Sequence, residues 1–193
     1  MMDWENLERT CMSCTRCGLC ETRHNVVFGV GNENADIMFV GEGPGEQEDL
    51  QGMPFVGPAG KLLDDMLSII DLYRQENCYI ANIVKCRPPR NRDPLETEQD
   101  ACIDYLRNQF ALIKPKIVVC LGRIAAKRLI DPDYRITRQH GQWVEKNGIW
   151  MTAIYHPSAL LRDVSKRPET FEDLLEIREK LKEVHADLSR NEC

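Results

Sequence analysis

The 193-residue sequence has no run of about 18 apolar residues, so it offers no candidate for a membrane-crossing helix. Its first ten residues, MMDWENLERT, have neither a basic start nor an apolar core, and so do not read as a secretory signal. Without either feature the chain is expected in the cytoplasm, with no membrane partner. There is no internal repeat and no low-complexity segment, which argues against a solenoid and against a disordered linker. Positive charge is also short: the net charge is −6, which weighs mildly against a protein that coats nucleic acid. The charge is unevenly spread, however. Lys85, Arg87, Arg90 and Arg92 form a basic stretch free of acids, Arg162, Lys166 and Arg167 form a second one, and the last 25 residues hold eight acids and four bases. At this length, with 42% hydrophobic residues, the whole of 1–193 is expected to form one domain around a sizeable core.

What the chain has in excess is cysteine. There are nine, an odd number, and four lie within ten positions: Cys11, Cys14, Cys17 and Cys20. In a reducing compartment such a cluster points to metal rather than disulfides. Two arrangements fit. In one, all four hold a local cluster, as in the bacterial ferredoxin run, although that run ends with a wider gap and a proline. Alternatively Cys14 and Cys17 pair with two distant cysteines, for which Cys86 and Cys102 are the candidates, and staple residues 1–25 to the body. Four thiolates suit zinc or an iron–sulfur cubane equally well. Cys78 and Cys120 sit in apolar strand contexts and read as core, while terminal Cys193 carries no signal.

Short apolar runs at 36–40, 79–84, 117–121 and 149–155 read as buried strands. Helical periodicity fills 59–72, 96–112 and 123–130, and a last amphipathic helix covers the 169–193 tail, with Phe171, Leu174, Leu175, Ile177, Leu181, Val184 and Leu188 near one face. Alternating strands and helices predict an α/β fold with a short central parallel sheet of about four strands. Functional groups then gather at the carboxyl ends of the strands: Gly41–Glu48, Asn82–Arg92, Gly122–Arg123 and His156–Arg162.

The segments at those strand ends are GEGPGEQED, GMPFVGPAGKLLD, NIVKCRPPRNR and YHPSALLR. Together and in this order they resemble the family 4 uracil-DNA glycosylases, over roughly residues 11 to 185. The resemblance implies a uracil-DNA glycosylase fold and a monofunctional repair enzyme, acting as a monomer. Such an enzyme hydrolyses the N-glycosidic bond of uracil in single- or double-stranded DNA and leaves an abasic site. It also implies a [4Fe-4S] cluster held by Cys14, Cys17, Cys86 and Cys102, with Cys11 and Cys20 outside the pattern.

Residue roles follow from that likeness and from chemistry. Phe55 is the expected stacking platform for the extracted base. The amide of Asn82 offers one donor and one acceptor, matching O4 and N3–H of uracil and mismatching cytosine. His156 is expected at uracil O2, where negative charge builds. Related glycosylases carry a catalytic aspartate in a G-Q-D-P-Y turn. The corresponding residue here is Gly43, so Glu42 is the expected carboxylate for the water or the cationic sugar. Gly41 and Gly43 bring backbone to the base, and Glu48 crowds its C5 side. Arg87, Arg90, Ser158 and Arg162 are expected on DNA, along with the neighbouring Lys85 and Arg92, and Ser158 is also expected to cap the helix after His156.

Overall fold

The computed structural model describes residues 3–191, and side chains as far as 186; Leu188 and Cys193 therefore lie outside the described side chains. Its centre is a six-stranded sheet of β1 (Val30–Gly31), β2 (Ile37–Gly41), β3 (Tyr79–Asn82), β4 (Ile117–Leu121), β5 (Val144–Lys146) and β6 (Ile149–Ile154). The order across the sheet is β1-β3-β2-β4-β6-β5. The inner four strands are parallel, as the apolar runs predict. Two short antiparallel strands, β1 on β3 and β5 on β6, close the edges and make the sheet mixed.

Each inner strand feeds both faces of the sheet, because successive side chains alternate. In β2, Met38 and Val40 enter one core with Ala81, Val118 and Cys120, while Ile37 and Phe39 enter the other with Ile80, Ile117 and Val119. Burial on both faces explains why these strands read as unbroken apolar runs rather than as alternation.

The first core is covered by α1 (Trp4–Met12), α4 (Glu96–Ile113) and α5 (Arg123–Leu129), through residues such as Leu7, Leu106 and Ala126. The second is covered by α3 (Pro58–Ile69), α7 (Pro157–Arg162) and α8 (Arg167–Asn191). The short helices α2 (Glu46–Gln51) and α6 (Ile136–Gln139) lie in connections. On α8, Leu174 and Ile177 are buried, whereas Phe171 turns outward and is 45% exposed, so the apolar face of that helix is narrower than its sequence implies. Cys78 and Cys120 are fully buried core residues.

At its start, α1 is capped by Asp3, whose carboxylate accepts from the Asn6 N–H at 2.8 Å. Arg92 and the Leu95 N–H both donate to Glu98, fixing the entry to α4. The chain passes from β2 outward to β3, then returns past β2 to β4. This reversal opens a crevice at the carboxyl ends of β2 and β4, the place where open α/β sheets bind ligands.

Candidate functional site

Two sites stand on the molecule: a cleft at the carboxyl ends of the parallel strands and a knot of cysteines beside α1 and α4. The cleft has a volume of about 600 Å³, and all four predicted strand-end segments line it.

The floor of the cleft follows from sheet register. Gly41 lies beside Asn82 across β2 and β3. A β-carbon on Gly41 would stand 2.4 Å from Asn82 Oδ1 and 2.6 Å from Phe55 Cζ. Only a glycine there lets the amide and the ring close over the same point. Asn82 is 2% exposed, and its buried Oδ1 has no hydrogen-bond partner among the described residues. Leaving such an acceptor unpaired costs on the order of 1–3 kcal/mol, which a donor entering the cleft would recover. Gly43 is similarly tight: a β-carbon on it would meet Val84 Cγ2 at 2.7 Å.

Phe55 is buried, with its backbone at φ 54°, a conformation that bulky residues adopt at a cost. Three contacts hold it there. Arg74 donates to the carbonyls of Pro54 at 2.8 Å and Phe55 at 2.9 Å, and is itself anchored on Asp64. Gly60, in the first turns of α3, leaves room for the Phe55 carbonyl, which a β-carbon there would strike at 1.9 Å. Glu48 accepts from the N–H groups of Val56 at 2.9 Å and Gly57 at 3.1 Å. Glu48 is thus neither a solvated acid nor a free wall residue; its carboxylate braces the loop that presents Phe55.

His156 follows β6 and lies 5.6 Å from the Phe55 ring, tilted by 33°. It is the N-cap of α7: its Nδ1 accepts from the Ser158 backbone N–H at 3.1 Å and contacts Ser158 Oγ at 2.7 Å. This corrects the expectation that Ser158 caps the helix. Ser158 is the second residue of α7 and supplies the donor, while the imidazole supplies the acceptor. Because Nδ1 accepts, the neutral ring carries its proton on Nε2. Burial, reinforced by the Arg162 guanidinium and opposed by Glu48, pushes the His156 pKa down to about 4. Gly122, at φ 89°, packs against the His156 Cβ.

Glu42 also lines the cleft. Burial, the charge of Asp93 and a hydrogen bond with it push the Glu42 carboxyl up to about 7, against the pull of Arg123. Arg123 pairs with Asp93. Of the other cleft residues, Asp93 lies just past the NIVKCRPPRNR segment, while Arg123 sits in a predicted strand-end segment and Tyr155 opens YHPSALLR, neither with a role assigned from sequence.

The basic residues divide. Arg162 and Arg90 are exposed, and Arg162 lines the cleft mouth. Arg87 donates to Asn91 at 2.7 Å and lies 3.6 Å from Glu46. Arg92 lines the cleft but is committed to Glu98. Lys166 is on the cleft wall, 3.8 Å from Asp163. Lys85 departs from expectation altogether. It is 1% exposed and its ammonium donates to Gln109 Oε1 at 2.8 Å. Its side chain turns inward from the end of β3, because the residues around it pack on α4, and it cannot touch DNA.

Cys11, Cys14, Cys17, Cys20, Cys86 and Cys102 surround one small pocket. Cys11, Cys86 and Cys102 are buried in the first core, and Cys14 and Cys17 pack against it; Cys20 lies at the rim. The described cysteines form no disulfide. Burial pushes the Cys11 thiol up to about 12 and the Cys102 thiol up to about 11. Two donors already point at sulfur: Arg23 Nη1 to Cys86 Sγ and the Lys85 N–H to Cys102 Sγ, each at 3.3 Å. Among the described residues, no three His, Cys, Asp or Glu side chains close on a single ion.

Comparison with known proteins agrees with this geometry. The profile of the Uracil DNA glycosylase superfamily matches residues 28–182. The chain is 47% identical over 189 residues to the Type-4 uracil-DNA glycosylase of Archaeoglobus fulgidus, covering 93% of this chain and 94% of that protein. It is 46% identical to the Type-4 uracil-DNA glycosylase of Thermotoga maritima, over 79% and 80% of the two chains, and 39% identical to that of Pyrobaculum aerophilum, over 90% and 92%. The chain belongs to the uracil DNA glycosylase superfamily, within its type-4 branch.

Proposed function

We propose that the cleft extracts uracil from DNA, reads it and hydrolyses its N-glycosidic bond, leaving an abasic site. The observation that carries this is the orphaned, buried Oδ1 of Asn82, facing the same point as the Phe55 ring. An acceptor here takes the N3–H of uracil, and the Nδ2 amide donates to O4. Cytosine has no proton on N3 and an amino group in place of O4, so both contacts fail at once. Phe55 stacks on the base, worth about 1–3 kcal/mol.

Bond cleavage leaves negative charge on the base and positive charge on the sugar. His156 meets the first as a neutral donor through Nε2, its tautomer set by Ser158. Glu42 meets the second, or orients water, once its carboxyl is ionised. Gly41 and Gly43 keep the backbone close to the base, and Glu48 shapes the pocket by fixing the Phe55 loop. Arg87, Arg90, Ser158 and Arg162 contact the DNA backbone around the cleft mouth.

The cysteine knot fits a [4Fe-4S] cluster on Cys14, Cys17, Cys86 and Cys102. These four thiols come from the chain after α1, the loop after β3 and α4, they meet around one pocket, and two donors aim at their sulfurs. The cluster, when bound, would tie the chain after α1 to the start of α4 and so fix the basic loop between Cys86 and Cys102. No catalytic step passes through it.

Incubating the protein with single- and double-stranded oligonucleotides that contain one uracil tests the reading. Free uracil and an alkali-labile site are expected; intact oligonucleotide under both conditions would overturn it.

A further inference from the structure

Lys85 has an ammonium that no charged side chain among the described residues pairs with. Its ammonium is buried at the end of a strand, and among the described residues no carboxylate stands within ion-pairing distance. Its one direct partner is the neutral Gln109, whose own amide is spent on the Phe28 carbonyl at 3.0 Å and Tyr79 Oη at 3.3 Å. The Phe28 ring, 6.0 Å away, adds a weak attraction. An ammonium buried without a counter-charge costs several kcal/mol, and a negative charge nearby offsets that cost. Lys85 lines the cysteine pocket, and its own backbone N–H donates to Cys102 Sγ at 3.3 Å.

On the other side of the same pocket, Arg23 is held by the Cys14 carbonyl at 2.7 Å and donates to Cys86 Sγ. Lys85 and Arg23 thus flank the cysteine knot from within and from its solvent side, while Arg16, which also lines the pocket, is half-exposed and pairs with Asp104 at 3.8 Å. An oxidised cubane with four thiolates carries a net charge of about −2. One ammonium and one guanidinium cancel that charge.

We propose that Lys85 and Arg23 are the built-in counter-charges of the iron–sulfur cluster, and that they set its reduction potential rather than serving DNA binding. This rests on the cluster assignment made above. Neither residue ligates iron; both act through the field at the sulfurs and, for Arg23, a hydrogen bond to one of them. Removing either cation makes an added electron less welcome, so the potential falls.

The test uses the full-length protein purified with its cluster, as wild type, Lys85→Met, Arg23→Gln and the double variant. The control is Arg107→Gln, on the exposed face of α4. Iron and acid-labile sulfide are counted for each, then the midpoint potential is measured by protein-film voltammetry. The expected result is an undiminished iron count of about four per chain, a more negative midpoint in each single variant, a larger fall in the double variant, and no change in the control. Should Lys85→Met fail to fold, Arg23→Gln decides alone, since its side chain is only partly buried: a fall supports the proposal and an unmoved midpoint overturns it. Full iron loading with wild-type potentials throughout overturns this inference but leaves the cluster reading standing. A wild-type protein without iron overturns both.

Discussion

Glu42 and His156 face one cleft and are displaced from their usual titration ranges in opposite directions. Glu42 is raised to about 7, so its carboxylate is present only above that pH; His156 is lowered to about 4, so its imidazole stays neutral across the working range. The acid limb of kcat/KM is therefore expected near pH 7 and to belong to Glu42. Glu42→Gln should be slower and should lose that limb, leaving a flat profile from pH 8 to about 5. His156→Ala should lose about 10²–10³ in kcat, the usual cost of one donor to a developing anion. A rate profile in both variants checks these outcomes. The stability signs differ as well. The lowered His156 contributes stability above about pH 6.5 that is lost as pH falls toward 4, because the unfolded chain takes the proton first. The raised Glu42 favours the fold below about 4.5, and that contribution is lost as pH rises through 7.

Not every residue announced itself equally in the sequence. Asn82 and His156 could be placed near strand ends from the apolar runs, and the structure puts both on the cleft, but their roles came from the likeness of the motifs around them. Lys85 was misread because a basic stretch looks solvated; which of its side chains turns inward depends on the path of β3 against α4, which no local pattern records. Asp93 joins Glu42 only through tertiary placement, and so gave no signal.

Among the elements, the loop between α2 and α3 carries the strain of the site. Its conformation depends on Arg74, Glu48 and the bare Cα of Gly60. Gly60→Ala forces a β-carbon into the Phe55 carbonyl and should cost roughly 2–4 kcal/mol, in the range of overpacking and strain combined. Urea melts should show the loss. Arg74→Ala leaves more room and should cost less, about 1–2 kcal/mol. It should also raise KM for uracil-DNA while moving kcat little, since it releases the stacking platform and not the groups that meet charge.

The long elements were readable from sequence: four apolar runs and four helical periods reappear within a few residues of their expected ends. Strands β1 and β5 were not, because two or three residues on a sheet edge carry too little pattern, and β5 is exposed throughout. Likewise the outward turn of Phe171 reflects how α8 lies on the second core, not its periodicity.

At the scale of the whole molecule, a chain of net charge −6 is expected to bind DNA only through local positive charge. Affinity should fall with salt, and Arg162→Ala or Arg90→Ala should each reduce the slope of log K against log salt by about one, with little effect on base selectivity. Fluorescence anisotropy over a salt series measures this. If the proposed cluster is bound, loss of iron should loosen the loop that carries Arg87 and Arg90, so chelated protein should lose DNA affinity before it loses the sheet, whose second core holds none of the six pocket cysteines.

The central claim is that the unpartnered amide oxygen of Asn82 reads the base. The most direct measurement is the ratio of kcat/KM for uracil over cytosine in matched oligonucleotides, for wild type and Asn82→Asp. The wild type should favour uracil by at least about 10⁴, and Asn82→Asp should reduce that ratio sharply, by losing uracil activity and gaining tolerance of cytosine. An unchanged ratio in Asn82→Asp would contradict the account.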